Sequence, residues 1–134
     1  MNHCVLVVED HIDTALAVRT LLSAWGQETH SAFNGAHALE IAQEYQPDVV
    51  WLDLGLPDID GLTLAKQLRK LYPHVVLIAV TARIESEAHA QKAGIDYFFT
   101  KPLIEMARVR RLIEQGVHRA NNRGTPLAMS NLQV

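Results

Sequence analysis

The sequence predicts an α/β fold in which a parallel sheet is covered by helices on both faces. Short runs rich in valine, isoleucine and leucine are typical of buried strands. They alternate with longer segments whose apolar residues recur every three to four positions, as in amphipathic helices. Five segments of each kind follow one another along the chain. Strict alternation of this kind predicts right-handed βαβ crossovers.

The first two strand–helix units occupy the N-terminal third of the chain. Residues 4–8 (CVLVV) form a continuous apolar strand, and residues 12–25 form a helix that ends at Gly26. Residues 28–33 alternate in polarity, which is typical of a strand near a sheet edge, and residues 36–45 form the second helix. The candidates for the inner face of the first helix are Leu16, Leu21, Leu22 and Trp25.

The middle of the chain contains the most apolar strands. Residues 48–52 (DVVWL) end at Asp53, and a loop at 54–61 carries a proline and two glycines. Residues 62–72 read as the third helix, and residues 75–80 (VVLIAV) as the fourth strand.

The last two units are less regular. Residues 84–93 predict a polar, alanine-rich helix, residues 96–100 a strand, and residues 104–120 a helix with one apolar face, made of Met106, Val109, Leu112, Ile113 and Val117. Residues 121–134 lack periodicity and predict a tail or linker stub after a single domain at 1–120.

Composition excludes several classes of protein. The 134 residues are 49% hydrophobic and 20% charged, enough for one domain with its own core. A single cysteine, Cys4, cannot form an internal disulfide and is expected to be a buried, inert thiol. The net charge of −3 argues against direct nucleic-acid binding, and no apolar stretch approaches the ~20 residues that span a bilayer.

Polar residues stand at the end of four of the predicted strands. Glu9 and Asp10 follow the first, Asp53 the third and Lys101 the fifth, while Thr81 closes the fourth. Because the carboxyl ends of parallel strands share one edge of the sheet, where α/β proteins bind ligands, these side chains are expected to meet in one crevice.

The residue types in this crevice favour phosphoryl transfer. Neighbouring carboxylates repel one another and need a cation, and oxygen ligands suit Mg²⁺. A carboxylate can also attack phosphorus, while Lys101 and Thr81 stabilise the phosphoryl oxygens by charge and by a hydrogen bond.

These residues resemble the signature set of the receiver domain of two-component signalling, the CheY-like response regulators. The matching segments are Glu9-Asp10, DLGLPDIDG from Asp53 to Gly61, Thr81-Ala82 and Lys101-Pro102. The resemblance extends over about residues 2–120. It implies a doubly wound (βα)5 flavodoxin-like three-layer sandwich with a parallel five-stranded sheet of order 2-1-3-4-5.

The resemblance also implies a role for each residue. Asp53 is the phosphoacceptor, and Glu9, Asp10, Asp53 and the Gly55 carbonyl hold Mg²⁺. Lys101 pairs with the phosphoryl group. Thr81 and Tyr97 are the switch residues, and the bond before Pro102 is cis. Phosphorylation would then switch the face formed by the fourth helix, fifth strand and fifth helix.

The implied partner is a histidine kinase or a histidine phosphotransfer protein in the cytoplasm, and a homodimer through the switched face is left open. Such a domain is no classical enzyme, although it catalyses its own phosphorylation and dephosphorylation.

Gly55 and Arg83 stand two residues after Asp53 and Thr81, and we expect them to make dephosphorylation slow. His11 and the arginines of the last helix are interpreted as solvated residues, and the other histidines show no ligand spacing.

Several alternatives remain from the sequence. The chain is a stand-alone receiver, the receiver of a larger regulator or the receiver module of a hybrid histidine kinase. A pseudo-receiver that only binds partners is a further alternative. A haloacid-dehalogenase-type phosphatase would need a second aspartate where Gly55 stands, and a dinucleotide-binding domain would need glycines where Glu9 and Asp10 stand.

Overall fold

The computed structural model describes residues 3–82, 87–101 and 106–114, in which five strands and five helices alternate. The strands are β1 (Cys4–Val8), β2 (Glu28–Ala32), β3 (Val49–Leu52), β4 (Val76–Thr81) and β5 (Tyr97–Thr100). The helices are α1 (Ile12–Ala24), α2 (Gly35–Tyr45), α3 (Gly61–Leu71), α4 (Glu87–Lys92) and α5 (Met106–Glu114). No helix in these ranges is both long and apolar enough to cross a membrane.

The strands form one parallel sheet in the order β2-β1-β3-β4-β5. This arrangement confirms the predicted doubly wound, flavodoxin-like α/β fold. The chain moves outward from β1 to β2 and then crosses back to β3 on the other side of β1. The carboxyl ends of β1 and β3 therefore flank the point where strand order reverses, which is where open α/β sheets bind ligands.

Each face of the sheet carries its own apolar core. Leu6 and Val8 of β1 face the core that α2, α3 and α4 cover, while Val5 and Val7 face the core under α1 and α5. All four side chains are fully buried. Burial on both faces explains why the central strands are continuous apolar runs, whereas the edge strand β2 is polar.

The structure corrects some predicted details. Leu16 is 60% exposed and does not belong to the core, because the buried stripe of α1 runs through Ala15 and Leu22, which are seven positions apart on one helix face. Cys4 is half-buried rather than buried, since it begins β1 at the rim of the sheet. Half of the element ends differ from prediction by one residue, and Thr81 is the last residue of β4. Residues 84–86, 104–105 and 115–120, which were predicted to be helical, lie outside the described residues. The predicted tail at 121–134 lies outside the described residues.

A buried ion pair ties α3 to the start of β5. The Arg69 guanidinium lies 2.7 Å from Oδ2 of Asp96, whose side chain is 1% exposed. The same guanidinium donates hydrogen bonds to the carbonyls of Pro73, Val75 and Gly94, over distances of 2.6 to 3.3 Å. Asp96 also accepts the Leu77 N–H at 3.0 Å. One side chain thus joins α3, β4 and the turn before β5.

Glycine is required at two turns. A Cβ on Gly61 would lie 2.3 Å from the Cα of Leu54, so the loop that follows β3 can only close against α3 if that position has no side chain. Gly94 has a φ of +92°, and a Cβ there would lie 2.9 Å from Cγ of Arg69. A positive φ strains any other residue, so Gly94 both turns the chain and admits the arginine.

Candidate functional site

The predicted polar side chains meet at the carboxyl edge of the sheet. The strand hydrogen-bond pattern continues one residue beyond β3 and β5. The Asp53 N–H donates to the Val8 carbonyl at 2.9 Å, and the Lys101 N–H donates to the Thr81 carbonyl at 2.8 Å. The backbone therefore fixes where both functional side chains start.

Lys101 connects two of the acidic groups. Its Nζ lies 2.7 Å from Oε1 of Glu9 and 3.1 Å from Oδ2 of Asp53. Both carboxylates are largely buried, whereas the lysine side chain remains 28% exposed. One ammonium thus partly neutralises two acids and lies next to any group that is transferred to Asp53.

Three carboxylates form a cluster that fits a divalent cation. One oxygen each from Glu9, Asp10 and Asp53 lie within 4.8 Å of one another. Asp10 is exposed, so a hydrated ion can reach the cluster from solvent. An all-oxygen donor set with room for water matches the preference of Mg²⁺.

The two buried carboxylates are shifted in opposite directions. Burial alone would raise the pKa of Asp53, but the Gly55 N–H at 3.0 Å, Lys101 and the Thr81 hydroxyl all donate to it, and the pKa is lowered. Burial dominates at Glu9, and its pKa is raised even though Lys101 and the His11 N–H donate to it. Asp53 is therefore held as the carboxylate, the form that can act as nucleophile or ligand.

The charged form of Lys101 is also stabilised. Burial would lower the pKa of Lys101, but its hydrogen bonds and charge interactions with Glu9 and Asp53 raise it. The lysine is therefore charged across the physiological range, and its positive charge is available to a phosphoryl oxygen.

The predicted switch residues line the fourth and fifth strands. Thr81 is 1% exposed and donates its hydroxyl to Asp53, while Tyr97 is 7% exposed. Their proposed movement remains a prediction, as does ligation by the Gly55 carbonyl. Pro102 and Arg83 lie outside the described residues.

Sequence reasoning missed two positioning contacts near the site. His11 is exposed, as expected, but its Nδ1 also caps α1 by accepting the Thr14 N–H at 3.2 Å. Asp58, in the loop after Asp53, accepts the N–H groups of Gly35 and Ala36 at 2.8 and 3.0 Å. The acidic residue in a glycine- and proline-rich loop was the available signal for this tie between the loop and α2.

Comparison with known proteins gives one consistent answer. The family model "Response regulator receiver domain" matches residues 5–114. The chain is 34% identical to the polar-differentiation response regulator DivK of Brucella anthropi over 107 residues, covering 77% of this chain and 87% of DivK. It is 30% identical to the transcriptional regulatory protein PrrA of Mycobacterium leprae over 135 residues, covering 97% of this chain but only 58% of PrrA.

Solved structures agree with the sequence relatives. The receiver domain of the Francisella response regulator 1452 superposes with a TM-score of 0.75 at 29% identity, covering 85% of this chain and 98% of that domain. NtrX from Brucella abortus superposes with a TM-score of 0.79 at 28% identity, covering 99% of this chain and 33% of NtrX. The chain therefore spans 58% of PrrA and 33% of NtrX, and most of DivK and of the Francisella receiver domain.

Proposed function

The chain belongs to the response regulator receiver domain family, and we propose that it accepts a phosphoryl group on Asp53 from a histidine kinase or a histidine phosphotransfer protein. The observation that supports this most directly is the position of Lys101, whose ammonium contacts Asp53 beside the three-carboxylate cluster. The partner class follows from the family, to which DivK and PrrA belong as response regulators.

Each residue of the site has a separate role in the transfer. A carboxylate oxygen of Asp53 attacks phosphorus, the bond from phosphorus to the donor imidazole nitrogen breaks, and its electron pair leaves with that nitrogen. Lys101 neutralises charge on one phosphoryl oxygen, and the Thr81 hydroxyl donates to another. Glu9, Asp10, Asp53 and the Gly55 carbonyl would hold Mg²⁺, which supplies the remaining neutralisation when bound.

Phosphorylation then changes the bonding of Thr81. Before transfer, the Thr81 hydroxyl donates a hydrogen bond to the Asp53 carboxylate. After transfer it turns toward a phosphoryl oxygen, Tyr97 follows, and the face made by α4, β5 and α5 shifts between two states. The output is read from that face, either by a target or by a second copy in a homodimer.

Two further properties belong to the proposal. Gly55 offers no side chain to orient an attacking water, so loss of the phosphoryl group is slow. The domain works in the cytoplasm and neither contacts nucleic acid nor inserts into the membrane itself. Any such contact would be made by a separate output domain, for which the longer relatives have room.

The test is phosphorylation by a small donor. We would incubate the protein with Mg²⁺ and acetyl phosphate and record its intact mass beside an Asp53→Asn variant and an Asp13→Asn control, which removes an exposed carboxylate from α1. We expect one phosphoryl group on the parent and the control, none on Asp53→Asn, and none after chelation of the metal. No gain in any sample, together with no binding of beryllofluoride, would favour the pseudo-receiver instead.

A further inference from the structure

A second group of metal-ligating side chains lies at the opposite end of the sheet. Cys4 begins β1 and is paired in register with Glu28, which begins β2, and His30 follows on the same face of β2. The thiol sulfur, a carboxylate oxygen and a ring nitrogen of these residues all lie within 4.8 Å of one another. Cys4 and Glu9 are separated by the length of β1, roughly 16 Å, so this cluster is distinct from the Asp53 site.

The three candidate ligand atoms already lie close together. Oε2 of Glu28 lies 2.7 Å from Nε2 of His30 and 3.6 Å from Sγ of Cys4. Each of these contacts is a hydrogen bond with a proton between its two atoms. A metal cation can take the place of these protons. The histidines appeared scattered in the sequence, but the strand register brings one of them beside the cysteine.

The imidazole is held in place by its neighbour. The ring of His30 stacks on Tyr45 at the end of α2, with ring centroids 3.7 Å apart and an interplanar angle of 17°. The His30 side chain is 21% exposed and that of Glu28 is 63% exposed. A cation therefore reaches the cluster from solvent and meets a ring whose orientation is already fixed.

The surrounding charge also favours a cation. Glu28 contacts the thiol directly, and Asp48 accepts the Cys4 N–H on Oδ2 at 2.8 Å. Burial, followed by the charges of Glu28 and Asp48, raises the pKa of the Cys4 thiol to about 11. A divalent cation would neutralise the charges that now disfavour the thiolate.

We propose that Cys4, Glu28 and His30 form a second metal site that binds zinc-class divalent cations. Thiolate, imidazole and carboxylate together match the ligand preferences of Zn²⁺ and Co²⁺, with water as the fourth ligand. On binding, the Cys4 thiol proton passes to solvent. The proton by which Nε2 of His30 contacts Glu28 moves to Nδ1 through exchange with solvent, so that Nε2 gives its lone pair to the metal, and Glu28 contributes a carboxylate oxygen. Mg²⁺, which avoids sulfur, would remain at the Asp53 site.

The experiment uses Co²⁺ as a visible probe. We would titrate the reduced full chain with Co²⁺ and record the thiolate-to-cobalt charge-transfer absorption in the near ultraviolet, then displace Co²⁺ with Zn²⁺. The variants are Cys4→Ser, Glu28→Gln and His30→Gln, with His74→Gln as a control at another exposed histidine. Circular dichroism of each variant checks that it is folded.

We expect one equivalent of Co²⁺ with a charge-transfer band that Cys4→Ser abolishes. Loss of an outer partner of a metal ligand costs about 10–100-fold in affinity, so His30→Gln and Glu28→Gln should weaken binding by at least roughly tenfold. His74→Gln and Asp53→Asn should change nothing, which separates this site from the phosphoacceptor site. No band at saturating Co²⁺, or a band that persists unchanged in folded His30→Gln, would overturn the proposal.

Discussion

Replacing Arg69 with methionine should destabilise the domain far more than replacing a surface cation. Methionine fills much of the same space but leaves Asp96 as a buried carboxylate without its cation, and it removes the donor shared by three carbonyls. Breaking a buried ion pair from one side costs about 3–5 kcal/mol. That is roughly a third to a half of a mid-range domain stability of about 10 kcal/mol.

The assay is urea unfolding followed by circular dichroism. With a slope of about 2 kcal/mol per molar urea, Arg69→Met should lower the midpoint by roughly 2 M at an unchanged slope. Lys70→Met removes an exposed cation from the same helix and should change stability by no more than about 0.5 kcal/mol. Asp96→Asn in the Arg69→Met background should recover part of the loss, because the unpaired charge is gone. A loss below about 1 kcal/mol, or an equal loss in Lys70→Met, would refute this reasoning.

Three further predictions concern the two ends of the sheet. Gly61→Ala should cost about 1–3 kcal/mol in urea unfolding, because the new Cβ would lie 2.3 Å from the Leu54 Cα. Lys101→Met should bind Mg²⁺ roughly tenfold more tightly in calorimetric titration, because an ammonium 3.1 Å from Asp53 no longer repels the ion, while phosphorylation by acetyl phosphate slows. In metal-free buffer the Cys4 thiol, with a pKa raised to about 11, should react slowly with a disulfide reagent at pH 8 and faster as the pH rises toward 11.

Each of these has a matched control. Gly55→Ala should be mild, because its Cβ would meet the nearest atom at 3.7 Å, so equal losses at both glycines would contradict the steric argument. Weaker Mg²⁺ binding by Lys101→Met would mean that the lysine organises the carboxylates rather than competing with the ion. Urea-unfolded protein provides the ordinary thiol, and an equal rate for the folded chain would contradict the raised pKa of Cys4.

The central strands and the site could be predicted because both depend on local patterns. A run such as residues 75–80 is apolar throughout, since both faces of a central strand are buried. Asp53 and Lys101 directly follow such runs, and the parallel topology alone brings strand ends together. The helix face was harder to predict, because Leu16 and Leu22 are both leucines and only the packing decides which is buried.

Apart from the local cap that His11 makes on α1, the contacts that sequence reasoning missed depend on register or on long-range pairing. Arg69 and Asp96 are 27 positions apart and belong to different elements, so neither residue signals the other. Cys4 and Glu28 meet because β1 and β2 pair at those residues. A one-residue slip would move His30 to the other face, and hydrophobic pattern fixes register poorly in a polar edge strand.

The link between Glu9 and Lys101 has a consequence for how the protein is made. These residues lie 92 positions apart, so the pocket around Asp53 is complete only after the fifth strand has left the ribosome. A nascent chain that ends before that strand has Glu9 and Asp53 without the Lys101 ammonium. Its sheet also lacks the edge strand β5. If Asp53 accepts a phosphoryl group as proposed, unfinished chains would lack the ammonium that stabilises the transfer, and signalling would be confined to finished molecules.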